Sequence, residues 1–73
     1  MKEEELYGWL SSIVEAYRRY CKARTDDGKQ RALENLQEMC KVFLAEVNYF
    51  YQTNYSLKEA MLAVSKKRNQ RQQ

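Results

Sequence analysis

Residues 33–51, LENLQEMCKVFLAEVNYFY, decide the fold. Leu33, Leu36, Cys40, Phe43, Val47 and Phe50 recur at alternating intervals of three and four, which draws one apolar seam along a helix. From Val42 to Tyr51 apolar residues fall on nearly every side. A helix that is apolar all round expects neighbours all round. The stretch predicts the central rod of a small helical bundle.

Upstream, Leu6, Leu10, Ile13, Tyr17 and Tyr20 repeat at four, three, four, three. Trp9, Ala16 and Ala23 widen one flank of that face; Tyr7, Val14 and Cys21 widen the other. Ser11, Ser12, Glu15, Arg18, Arg19 and Lys22 fall opposite, with Glu15 spaced to pair with Arg19. This helix should begin near Lys2 or Glu3, placing Glu3, Glu4 and Glu5 where the helix dipole favours acids. Gly8 costs about 1 kcal/mol inside a helix and faces outward in this register. Either the helix starts after it or something approaches closely there.

Arg24-Thr25-Asp26-Asp27-Gly28 is the first break. Gly28 can close a helix in the left-handed conformation, and Thr25 or either Asp can cap the next. The second helix should run from about Lys29 to Gln52. After Thr53-Asn54-Tyr55, Ser56 and Glu59 have the spacing of a capping box. The third helix carries Leu57, Met61 and Val64, with Ala60 and Ala63 beside them, and should fade around Arg68. The expectation is one domain over residues 1–68 and a disordered basic, polar tail over 69–73. Short turns make neighbouring helices antiparallel. The fold class is all-α: an antiparallel unit of two long helices and one short C-terminal helix.

Length adds a constraint. A chain of 73 residues buries about 60% of its unfolded surface, so small domains lean on a metal, disulfides or a partner chain. There is no His and there are two Cys, where a structural zinc site typically takes four N or S ligands. No metal or other cofactor is expected. Cys21 and Cys40 both lie on or beside apolar seams and are expected in the core. They stand about 12 Å apart along the axis by the helical rise, too far for a disulfide. Association with a second copy, giving a homodimeric bundle, is the expected support.

The rod lengths say where. Two helices of about 20 to 24 residues span roughly 30 to 36 Å, and a third of about 12 spans roughly 18 Å. Folding back from Tyr55, the third reaches about Cys40. Around Tyr17, Tyr20, Leu33 and Leu36 two helices remain, and a pair cannot enclose its own seam. Exposed apolar patches mark interfaces. The back of the central rod supplies a second surface at Val42, Ala45 and Tyr49. The alternative is that Tyr17 and Tyr20 lie flat over the gap.

Without His, a catalytic triad or His-based acid/base chemistry is impossible. Gly8 and Gly28 stand far from any phosphate-cradling pattern. Asp26-Asp27 reads as turn chemistry. The chain is expected to be no enzyme and to take no small-molecule substrate. No apolar run approaches the ~20 residues of a membrane span, and Met-Lys-Glu-Glu-Glu does not read as a signal peptide. The expected location is the cytoplasm.

Net charge is +3, from 13 basic and 10 acidic residues. Cations at helix C-termini satisfy the dipole, but Lys29 and Arg31 open the second helix, where cations are disfavoured. The topology returns Lys67, Arg68 and Arg71 toward Arg18, Arg19, Lys22, Lys29 and Arg31. That basic pole could meet phosphates or an acidic protein surface. A helix-turn-helix over residues 51–68 fits poorly, because the preceding helix is too long and the link lacks its usual Gly. The function these features favour is a small protein–protein interaction module, a regulator, adaptor or inhibitor of the compact kind that phages and mobile elements encode. A nucleic-acid-binding accessory protein using the basic pole is the alternative.

Overall fold

In a computed structural model, which describes residues 2–71 (the backbone alone for Arg71), the chain folds as three helices: α1 Glu3–Lys22, α2 Asp26–Tyr51 and α3 Leu57–Arg71. The molecule measures 39 × 26 × 19 Å. Its core joins Leu6, Leu10 and Ile13 of α1, Phe43 and Val47 of α2, and Ala60 and Val64 of α3. Leu6, Phe43, Val47 and Val64 are fully buried. Trp9, Leu44, Phe50, Tyr51, Tyr55 and Leu57 pack around them.

The helix ends depart from expectation in three places. α2 starts three residues before Lys29, because Thr25 takes the N-cap and its hydroxyl accepts from the Gly28 amide at 3.0 Å. Asp26 and Asp27 thereby enter the first turn, where the dipole favours acids. Gly28 is helical and has no left-handed role. A Cβ there would meet the Thr25 hydroxyl at 2.9 Å, so the glycine makes room for the cap. The left-handed residue is Gln52, with φ 56° and ψ 50°, which closes α2. Finally, α3 continues past Arg68 to Arg71. No Gly or Pro interrupts Lys66 to Arg71, and cations suit a helix C-terminus. The expected tail from Asn69 is therefore helical as far as Arg71; Gln72 and Gln73 lie outside the described residues.

The second turn is built by one side chain. The Asn48 carboxamide oxygen accepts from the Thr53 hydroxyl at 2.9 Å and the Tyr55 amide at 2.8 Å, while its nitrogen donates to the Tyr55 carbonyl at 3.2 Å. Its backbone carbonyl accepts from the Gln52 and Thr53 amides. The capping box then starts α3: the Glu59 amide donates to the Ser56 hydroxyl and the Ser56 amide to the Glu59 carboxylate. Those bonds hold the Glu59 carboxyl below its ordinary range, the Ser56 amide being the larger cause.

Glu3 completes this end. Its two oxygens accept from Tyr7 at 2.7 Å and Tyr51 at 2.9 Å, tying the start of α1 to the last turn of α2. Burial, and then the Glu3 carboxylate, push the Tyr51 phenol well above its usual range. Glu15 pairs with Arg18 at 3.2 Å, one residue short of the expected Arg19. Gly8 lies within α1 with open space around it.

Candidate docking surface at the two-helix end

Beyond the core the packing thins. Among the described residues of α2, none before Phe43 is buried. Leu33 and Leu36 are half-buried, Tyr20 is half-buried, and Tyr17 is 56% exposed. The two tyrosine rings stand 6.4 Å apart at a 40° tilt. Lys29 places its ammonium 5.8 Å from the Tyr20 ring centre. Tyr20 is thus partly engaged, while Tyr17 projects.

α3 roofs part of this end. An apolar groove of about 350 Å³ runs between Ile13, Val14 and Tyr17 on α1, Leu36 and Cys40 on α2, and Met61 on α3. Through Val14 and Met61 it continues into a second hollow of about 450 Å³, where Leu10, Ser11, Glu15 and Arg18 face Leu62, Ser65 and Arg68. Val14 is 41% and Leu62 52% exposed. Three of the four most exposed large apolar side chains among the described residues therefore share one surface; the fourth, Tyr49, lies elsewhere.

The second predicted surface, on the back of α2, has Val42 half-buried, Ala45 exposed and Tyr49 75% exposed. The cations are dispersed. Arg18 and Arg68 line one hollow, Arg19 stands on the other flank of α1 with Asn35 and Met39, and Lys67 lies on the outer face of α3 with Tyr55 and Lys66. Lys22, Lys29 and Arg31 are exposed near the first turn; the Arg71 side chain lies outside the described set.

Cys21 corrects an expectation. It is an exposed free thiol, while Cys40 is half-buried at the groove. Cys21 lies past Arg18, the last α1 residue lining a hollow shared with α3. The Cys21 thiol, one turn on, raises the pKa of the Tyr17 phenol. Burial raises that of Cys40. Among the described residues no cluster of three His, Cys, Asp or Glu could hold a metal ion, and no helix is long and apolar enough to cross a membrane.

Sequence reasoning missed Leu62 as a surface element and Met61 as the groove's end wall. The signal was present: Leu62 interrupts the polar side of α3. It also missed Glu3 as a tyrosine clamp, although Tyr7 follows it at the i,i+4 spacing, and Asn48 as the organiser of the second turn. No family model, curated protein or solved structure matches this chain.

Proposed function

We propose that the chain is a non-enzymatic interaction module, a regulator, adaptor or inhibitor that works by presenting helical faces to other protein surfaces, a second copy of itself included. The observation that carries this reading is the gathering of Val14, Tyr17 and Leu62 along one groove. Isolated apolar residues on a surface are ordinary, but a contiguous apolar strip with a polar rim is the usual mark of a binding site.

Self-association fits the back of α2 better than the groove. The groove's edge carries Arg18 and Arg68 against one acid, Glu15, already paired with Arg18, so a second copy laid symmetrically on it brings excess positive charge together. Around Val42, Ala45 and Tyr49 the helical spacing mixes signs, with Glu38, Lys41 and Glu46 nearby. Ala45 also lets a second α2 approach closely. Sedimentation equilibrium tests the assignment. The wild type and Tyr17→Asp should dimerise at micromolar concentration, and Tyr49→Asp should not. A wild type that stays monomeric removes the homodimer, and a dimer dissolved by Tyr17→Asp moves it to the groove.

Arg18 and Arg68 at one hollow also favour a second reading, a nucleic-acid-binding accessory protein. Binding to a short DNA or RNA duplex would then weaken steeply with salt. It would be lost on changing Arg18, Arg19 and Lys22 together to Glu.

A further inference from the structure

We propose that the groove over α1 takes an acidic amphipathic helix from a partner protein. Apolar side chains of that helix enter between Val14, Tyr17, Leu36, Cys40 and Met61, and its carboxylates meet Arg18 and Arg68. This deepens the docking reading above and rests on it.

Length, shape and charge support that occupant. The two joined hollows follow α1 from Leu10 to Arg18, about 12 Å at the helical rise. That matches two turns of a docked helix with anchors at i, i+3 or i+4, and i+7. The walls are three helices, with no strand among the described residues to extend by an added strand. The inner groove is lined by apolar atoms, with Leu36 and Cys40 half-buried on its floor.

The edge selects the sign. Arg18 and Arg68 line the outer hollow, and the acid beside them is Glu15, already bound to Arg18 at 3.2 Å. Lys22 follows Arg18 by one turn on the same edge of α1 and is exposed. Beyond it the Lys29 ammonium stands over Tyr20. An incoming helix with carboxylates flanking its apolar stripe meets net positive charge at the outer hollow, where Arg18 and Arg68 outnumber Glu15; a basic one is repelled there. This chain's own acidic turn is a poor substitute, because Glu3 is held by Tyr7 and Tyr51.

Two synthetic helical peptides test the idea on the full chain. Both carry leucines at helical spacing, one with flanking glutamates and its twin with lysines. Titration calorimetry reads affinity, and amide chemical shifts read location. The acidic peptide should bind in the micromolar range and shift residues around Val14, Tyr17, Leu36, Cys40 and Met61. The basic twin should bind at least about tenfold more weakly, a difference of about 1.4 kcal/mol. Val14→Glu, at an exposed position that leaves the core intact, should abolish binding with an unchanged circular dichroism spectrum. Changing Arg18 and Arg68 together to Glu should reverse the peptide preference.

Equal binding of both peptides at the groove overturns the acidic partner and leaves the docking reading standing. So does binding of neither peptide when the wild type dimerises through the groove and Tyr17→Asp dissolves that dimer. Binding of neither peptide to a chain that dimerises through the back of α2 overturns the acidic partner alone, and binding of neither peptide to a chain that does not self-associate overturns both.

Discussion

The two ends of this bundle share the same helices and differ in how they are finished. At one end three helices meet. Leu6, Phe43, Val47, Ala60 and Val64 are fully buried, Asn48 orders the turn, and Glu3 bridges α1 to α2. At the other end two helices run on past their roof. There Leu33 stays half in water, and the Lys29 ammonium of α2 stands over the Tyr20 ring of α1. Stability is concentrated where polar groups are satisfied and apolar surface is enclosed. At the open end Tyr17 is left 56% exposed and, among the described residues, none of α2 before Phe43 is buried. Regions of lower local stability are where binding surfaces are commonly found.

That contrast can be tested by substitution. Phe43→Ala empties the sealed end and should cost about 3–5 kcal/mol, most of what a domain of this size holds. Leu33→Ala, half exposed at the open end, should cost less than half as much. Urea unfolding followed by circular dichroism compares them; equal losses would erase the distinction between the ends.

Asn48→Ala should come next. It strands the amide and carbonyl of Tyr55 and the Thr53 hydroxyl, and should cost about 2 kcal/mol. Asn48→Asp keeps the acceptor oxygen and should recover part of that, measured in the same assay.

Two changes near the second turn should be smaller and opposite in sign. Ser56→Ala removes the cap of α3 and should cost about 1 kcal/mol. Its partner adds a pH signature. Glu59 has a lowered folded-state pKa, so its contribution is present above the ordinary carboxylate value and lost as pH falls through the lowered one. Thermal melts across the acid range should show that decline in the wild type and a weaker decline in Ser56→Ala. Gln52→Gly relieves a left-handed residue and should raise stability by about 1 kcal/mol. A loss there would mean that the Gln52 bond to the Tyr49 carbonyl outweighs the strain.

Smallest is Lys29→Ala at the open end. It removes the cation from Tyr20 and should change stability by about 0.5 kcal/mol. A larger change would mean that the open end is stiffer than its packing implies.

The helices and their faces could be read from spacing. Leu6, Leu10 and Ile13 on α1, and Phe43 and Val47 on α2, are where period counting puts them, because burial follows the seam. Ser56 and Glu59 announce α3 because a capping box is local. What escaped reading depends on contacts distant in sequence or on competition between neighbours. Thr25 and Gly28 were both available at one turn, and the cap prevailed because a Cβ-free position lies beside the hydroxyl. Glu3 reaches Tyr51 across 48 residues, which no local pattern encodes. Leu62 faces outward on α3, and its company with Val14 follows from how α3 crosses α1.

The unequal thiols carry a practical consequence. Thiolate is the reactive form, and burial holds the Cys40 sulfur in its neutral state, whereas Cys21 is open to solvent. A thiol-reactive dye at neutral pH should therefore mark Cys21 first. It would sit one turn from Tyr17, where the proposed docking of a helix should change its emission. The native chain already holds a thiol that a dye marks in preference to the other, with no engineered cysteine needed.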